Sequence, residues 1–383
     1  MKKIFLMNVL LMISVISTNS CISAVNSRPL NENQTTNEKT KIQVALLLDT
    51  SSSMDGLIDQ AKACLWNIVN TLTTLKFGGT VPDIEIALYE YGNNGIHTKE
   101  NDYIRQVIPL TSDLDLISEK LFALRTNGGS EYCGAVIEKS VKQLEWGKDK
   151  SDMKLIYIAG NEPFTQGNVN YKSAIKEALA DNIYVNTIHC GYAEEGIRGM
   201  WQDGAVTGKG KYFNIDHNRK IIYVETPYDK EIMKCNERLN STYIGYGENG
   251  IMRAENQIIQ DKNAESVSSG NYTERAVSKS KAVYDNSSWD LVDMYKKDQS
   301  VVSTIDNKKL PSEYQNKSKE EIQKIVEQKE TERKAIQKEI SELSVKRQQY
   351  IDSHSKEEKD DDLGKAVKES IFELAQIMGY DTE

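Results

Sequence analysis

The sequence predicts an α/β fold with a doubly wound, mostly parallel sheet, followed by an α-helical, partly coiled-coil C-terminal region. Three observations carry that expectation. The run Val44-Ala45-Leu46-Leu47-Leu48 has the unbroken apolar character of a strand buried on both faces. From Ile42 onward, apolar runs of strand length alternate with stretches of helical period. Between residues 316 and 352, apolar residues recur in steps of four and three, the spacing of a heptad seam.

The chain opens with a segment set apart from this pattern. Lys2 and Lys3 precede an apolar stretch from Ile4 to Ile16, broken only by Asn8 and Ser14. It is too short to anchor stably across a bilayer, so residues 1–24 read as a secretory signal peptide. Two maturation routes stay open. Thr18-Asn19-Ser20-Cys21 resembles a loose lipobox of a bacterial lipoprotein, with Cys21 as the lipidated residue and Thr18 where Leu is usual. Ordinary cleavage after Ala24 is the other route, with Ile22 bulkier than that rule prefers. Either one places the protein in the cell envelope, in the periplasm or at the cell surface. Residues 25–41 are polar, rich in Asn and Thr, and read as a flexible linker.

Loss of Lys2 and Lys3 with the leader takes the formal net charge from −9 to −11. An acidic chain of this kind is a poor ligand for nucleic acid or for anionic lipid, so membrane association falls to the lipid anchor alone. Cys64, Cys133, Cys190 and Cys235 remain after Cys21. An oxidising compartment permits disulfides among them, while apolar surroundings at Cys64 and Cys190 fit buried free thiols. Both readings stand at this point.

The elements follow in order. After the first strand, Leu57, Ile58, Ala61, Leu65, Ile68, Val69 and Leu72 define a helix over 57–75. Residues 84–91 form a strand stopped by Gly92-Asn93-Asn94-Gly95, and 105–110 form another. Asp113 caps a helix through Leu124. The loop Thr126-Asn127-Gly128-Gly129-Ser130-Glu131-Tyr132 leads into a helix over 135–144, its glycine pair allowing a close backbone approach. Residues 154–159 are a second buried strand, ended by Gly160-Asn161-Glu162-Pro163. A helix over 171–181, a strand over 183–189 and a short strand over 212–215 complete the alternation.

The chemistry concentrates where the first strand ends. Asp49, Ser51 and Ser53 place a carboxylate and two hydroxyls at the carboxyl end of a central strand, where open α/β sheets bind ligands. Hard oxygen ligands in a tight turn suit Mg²⁺, with Ca²⁺ or Mn²⁺ as alternatives. The competing reading is a polar turn that caps the following helix.

Asp49-Thr50-Ser51-Ser52-Ser53, the Gly128-Gly129-Ser130 loop and a third loop after a buried strand together resemble a von Willebrand factor type A domain over about residues 42–240. The resemblance implies a metal-ion-dependent adhesion site built on D-x-S-x-S, a Thr in the second loop and an Asp in the third. Asp49, Ser51 and Ser53 match the first loop, and Ser130 keeps a hydroxyl where Thr is usual. In the third loop Gly160 occupies the carboxylate position, which leaves Asn161 or Glu162 to reach the metal directly or through water. The implied metal ligands are Asp49, Ser51, Ser53, Ser130 and Glu162. Glu131 and Tyr132, the segment 93–98, and Trp201 with the loop Asp203-Gly204-Ala205 lie where a partner would approach that face; a helix start at Glu131 and Tyr132, and a structural anchor at Trp201 and its loop, are the alternative readings.

Beyond the resemblance, residues 241–310 read as a helical extension, with 253–284 polar and Trp289 to Tyr295 a short amphipathic cluster. The seam over 316–352 runs through Ile322, Val326, Lys329, Arg333, Ile336, Ile340, Leu343, Arg347 and Tyr350. Its charged positions leave open a weak homodimeric coiled coil and a long helix packed on its own chain. Residues 356–362 are a solvated charge run. Residues 363–380 form an amphipathic helix with Val367, Ile371, Leu374 and Ile377 on one face.

His97, His189, His217 and His354 have no Ser or Cys partner at a catalytic spacing, and no nucleophile elbow, zincin or phosphate-loop motif is present. The expectation is therefore a protein that is not an enzyme. It is an exported, envelope-associated module for divalent-metal-dependent protein–protein binding, with a partner offering an Asp or Glu. The alternative is a structural or assembly scaffold of the envelope that uses its C-terminal helices and carries a degenerate metal site.

Overall fold

The computed structural model describes residues 39–96, 102–216, 224–354 and 363–382. The signal segment with Cys21, most of the linker, His97, His217 and the charge run at 356–362 lie outside the described residues.

The first strand, β1 (Lys41–Asp49), leads into α1 (Asp55–Leu72), the two-residue β2 (Leu75–Lys76), β3 (Asp83–Tyr91) and β4 (Ile104–Thr111). Then come α2 (Leu114–Ala123), α3 (Cys133–Gln143), β5 (Met153–Gly160), α4 (Tyr171–Ala180) and β6 (Ile183–Cys190). The short helices α5 (Ala193–Arg198) and α6 (Trp201–Thr207) precede β7 (Lys209–Ile215). A six-stranded sheet runs in the order β4-β3-β1-β5-β6-β7. β3 pairs antiparallel with the edge strand β4, and every other pairing is parallel.

Alternation along β1 explains why it reads as one apolar run. Ile42, Val44, Leu46 and Leu48 enter the core on one face of the sheet, with Leu57, Leu65 and Leu72 of α1. Ala45 and Leu47 enter the core on the other face, with Val136 and Ile137 of α3 and Ile175 of α4. A strand covered on both sides cannot alternate apolar with polar. The chain crosses from β1 to β3 on one side and later to β5 on the other, so the strand order reverses beside β1. Asp49 at the end of β1 and Gly160 at the end of β5 border the resulting crevice.

The C-terminal helices build outward from this sheet. They are α7 (Asp229–Asn240), α8 (Gly250–Val267), α9 (Ser269–Lys279), α10 (Leu291–Lys297), α11 (Val301–Thr304) and α12 (Ser312–Gln315). The long α13 (Lys319–His354) and α14 (Leu363–Met378) follow, and β8 (Asp381–Thr382) pairs with β2. Val367, Ile371, Leu374 and Ala375 of α14 belong to the sheet's own core. The Tyr157 and Ser370 hydroxyls are hydrogen-bonded at 2.6 Å, fixing that helix to β5. The amphipathic segment at 363–380 thus completes a layer of the α/β domain, although the sequence sets it apart. α7, which falls inside the 42–240 span, instead packs Ile232, Cys235 and Leu239 with Ala276 of α9 and Ile336, Ile340 and Leu343 of α13.

The heptad seam is covered by this chain's own helices. Ile322 and Val326 pack with Leu291 and Tyr295 of α10. Two of its charged positions, Arg333 and Arg347, are buried partners rather than gaps in a coil. The Arg333 guanidinium donates to Asp290 at 2.6 Å and Asp293 at 2.7 Å, and Arg347 donates to Asp229 at 2.8 Å and Glu274 at 2.5 Å. Of the two readings left open by the sequence, the structure shows the packed helix. All four described cysteines are buried, and none of them is in a disulfide. Among the described residues no helix is long and apolar enough to cross a membrane.

Candidate metal centre

Asp49 ends β1 fully buried. Its Oδ1 accepts a hydrogen bond of 2.7 Å from the Ser51 backbone N–H, an Asx turn that folds the first loop back over the strand end. The Ser51 and Ser53 hydroxyls lie 3.2 Å apart. Neither serine nor Asp49 caps α1: the residue before that helix is Met54, and no side-chain cap is made. The capping reading of Asp-x-Ser-x-Ser is therefore not the arrangement found.

The second loop is clamped onto the turn after β3. The Asn94 N–H donates to the Gly128 carbonyl at 2.9 Å, and the Asn127 N–H donates to the Thr50 carbonyl at 2.9 Å. A Cβ on Gly129 would sit 2.5 Å from the Gly92 carbonyl oxygen, so the glycine pair is what permits this approach. Ser130 is half-buried, and its hydroxyl makes no hydrogen bond among the described residues. Glu131 is buried instead. Its N–H donates to Gln166 Oε1 at 2.6 Å, which ties the second loop to the third. Its side chain approaches Asp49 across Gly92: a Cβ on that glycine would lie 2.8 Å from both Asp49 Oδ1 and Glu131 Cγ.

In the third loop, Gly160 lies against Asp49 and Tyr91. A Cβ there would stand 2.5 Å from the Tyr91 hydroxyl and 3.2 Å from Asp49 Oδ2. Tyr91 donates to the Ala159 carbonyl at 2.9 Å and fills the space that a longer residue 160 would need. Asn161 reaches inward, donating through Nδ2 to Ser53 Oγ at 3.2 Å. Glu162 is exposed, and its side chain forms no ion pair or hydrogen bond with the first-loop residues; its carbonyl accepts from Trp201 Nε1 at 2.9 Å. Among the implied ligands, Asp49, Ser51 and Ser53 come together and are joined by Asn161. Ser130 and Glu162 flank the cluster without a bond to it. Glu131, a rim residue by its sequence, proves to be a carboxylate inside the centre. Only its position beside Ser130 hinted at this.

Of the two readings of Trp201, the structural anchor is the one found. Trp201 and Asp203-Gly204-Ala205 form the first turns of α6 rather than a loop, and Trp201 is buried beneath the rim against Phe164 and His189. His189 donates through Nδ1 to Asn214 Oδ1 at 2.8 Å, a structural contact at the strand end.

The electrostatics of the centre are unbalanced. Asp49 Oδ2, Glu131 Oε2 and Asn161 Oδ1 are all buried without a hydrogen-bond partner. Burial first, then hydrogen bonding and repulsion from Glu131, holds the Asp49 carboxyl well above the usual carboxylate range. Burial raises Glu131 as well. Orphaned buried anionic oxygens are costly unless a cation or proton satisfies them. The donors are carboxylate, hydroxyl and amide oxygens, a set that fits a hard divalent cation. Among the described residues no three His, Cys, Asp or Glu side chains converge, so two carboxylates must be completed by neutral oxygens.

No protein-family model matches the sequence, and no curated protein matches it. Solved structures are similar over 46% of the chain. Proximal thread matrix protein 1 from the mussel byssus is 12% identical with a TM-score of 0.35, and the match spans 42% of its chain, less than half its length. An aerotolerance-related membrane protein from Bacteroides fragilis is 15% identical over 93% of its chain, with a TM-score of 0.32. The SpRpn10 VWA domain is 15% identical over 88% of its chain, with a TM-score of 0.33. On its own strand order, with an antiparallel edge strand and Asp-x-Ser-x-Ser at the point where that order reverses, the α/β portion of this chain has the fold of a von Willebrand factor type A domain.

Proposed function

We propose that the chain is an exported module of the cell envelope that binds a protein partner through a divalent cation held at the end of β1. The observation that supports this most is the set of three unpartnered oxygens, on Asp49, Glu131 and Asn161, buried together at the strand-order reversal. A cation there, Mg²⁺ first by donor hardness, is held by Asp49 with Ser51 and Ser53 and keeps a position open to a partner. A partner's Asp or Glu is the natural occupant, because a charge-assisted contact to the cation favours carboxylate. Half-buried Tyr132 and exposed Tyr192 then contribute selectivity. The basic and apolar N-terminus, with Cys21 or Ala24 as its processing point, supports export and attachment. The absence of a catalytic motif in the sequence supports binding rather than turnover.

A second reading has one observation in its favour. Ile251, Met252, Ile258 and Ile259 are large apolar residues exposed on α8, which fits a scaffold that makes contacts through its C-terminal helices. Affinity capture from the native envelope separates the two. Parent protein is compared with Ser51→Ala/Ser53→Ala in Mg²⁺, and with parent in EDTA. A partner lost in both supports the metal face. A partner retained in both, but lost from Met252→Asp/Ile259→Asp, moves the function to α8.

A further inference from the structure

We infer that Glu131 is the second carboxylate ligand of this centre and replaces, from the second loop, the carboxylate that the third loop lacks. The inference rests on the reading that the centre holds a cation. It concerns which residue completes it.

The third loop is closed to a carboxylate at Gly160. Any side chain there must displace the Tyr91 hydroxyl, 2.5 Å from the added Cβ, and crowd Asp49. Glu162 is exposed at the surface of the same loop. Glu131 has the opposite situation, at 6% exposure and with Oε2 unpartnered. Gly92 makes its approach feasible. A Cβ on Gly92 would stand 2.8 Å from both Asp49 Oδ1 and Glu131 Cγ, so the missing side chain is what lets the two acids share one space. Gln166 of the third loop holds the Glu131 backbone at 2.6 Å, and its own N–H donates to the Pro163 carbonyl at 2.9 Å. The third loop thus positions a carboxylate that it does not itself supply.

An acid held this way has no structural return. Neither Glu131 nor Asp49 forms an ion pair among the described residues, and as carboxylates neither can donate to the other. Two buried like charges in contact destabilise the metal-free fold and become favourable around a divalent cation. Substitution should therefore push stability and cation affinity in opposite directions, a signature that an ordinary packing role does not produce.

The test uses the full mature chain, with Mn²⁺ alone as the probe, read by titration calorimetry and by thermal melting. Glu131→Gln is expected to melt higher than the parent in EDTA, because its amide can donate to Asp49. It is expected to bind Mn²⁺ about tenfold more weakly or worse, in line with losses seen when metal-site support is removed. Glu131→Asp should fall between, and Glu162→Gln should match the parent in both measurements. Glu131→Gln binding Mn²⁺ as tightly as the parent overturns the assignment and leaves the metal reading standing. A parent that binds no Mn²⁺ overturns both. Loss of affinity in Glu162→Gln with Glu131→Gln unaffected returns the role to the third loop.

Discussion

The side chains of Asp49 and Glu131 meet over Gly92, where a Cβ would lie 2.8 Å from each, and both are buried with an unpartnered carboxylate oxygen. Three other buried acids meet cationic side chains: Asp261 meets Arg275 and Lys279, Asp290 meets Arg333, and Asp229 meets Arg347. Asp49 and Glu131 have no such cation among the described residues, which is the contrast the proposed cation would resolve.

Those networks give the first prediction. Arg333→Ala leaves Asp290 and Asp293 buried without their cation, at a cost of about 3–5 kcal/mol. Urea denaturation should show the loss as a lowered midpoint. A change within about 0.5 kcal/mol, as for an ordinary surface site, would mean that α13 is held by its apolar seam alone.

Deletion of residues 316–383 is expected to unfold the chain rather than release a monomer from a dimer. It strips Ile336 and Ile340 from α7 and α9, and Val367 and Ile371 from the sheet core. The full chain should scatter light as a monomer, since its seam is already covered. A folded, soluble truncation, or a dimeric parent that becomes a monomer on truncation, would favour the homodimeric coil.

Acid should destabilise the α8–α9 network. Burial by itself would raise Asp261, but Lys279 and Arg275 outweigh it and hold the carboxyl below the usual range. A carboxyl depressed in the folded state stabilises the protein above its unfolded value of 3.8 and loses that contribution as pH falls below it. Asp261→Asn should therefore flatten the fall in unfolding free energy between about pH 5 and pH 2. A parallel curve for parent and variant would remove Asp261 from the account.

Gly160 and Tyr91 should be coupled. Gly160→Ala places a methyl against the Tyr91 hydroxyl and should cost about 1–3 kcal/mol, as overpacking does. In a Tyr91→Phe background the same change should cost less, giving a non-additive double-mutant cycle. Additive effects would mean that another neighbour sets the requirement for glycine.

Export is checked by intact mass. The mature protein should begin either at a lipid-modified Cys21 or at Val25, after cleavage behind Ala24. A mature chain that retains Met1 to Ser20 would contradict export by a cleaved signal.

Legibility of the chain in its sequence varied with the range of the interaction. β1 and Asp49-x-Ser51-x-Ser53 were readable because a doubly buried strand and a polar turn are both local patterns. The missing carboxylate at Gly160 was readable for the same reason. Its physical cause, the Tyr91 hydroxyl, comes from the distant strand β3 and was not. Glu131 looked like rim because its distance to Asp49 is set by how the second loop packs on Gly92. α6 reads as loop in the sequence because seven residues containing Gly204 carry too little periodicity to announce a helix. The seam of α13 was visible, but its charged positions made sense only beside Asp290, Asp293, Asp229 and Glu274.

The central claim, a functional cation at the end of β1, is tested most directly by thermal melting of the mature chain in Mg²⁺ and in EDTA, with Asp49→Ala alongside. A ligand that binds only the folded state raises its stability by about 2.7 kcal/mol at a hundred times its dissociation constant. The account predicts a higher midpoint in Mg²⁺ for the parent and no difference for Asp49→Ala. Identical parent curves in Mg²⁺ and EDTA would contradict it.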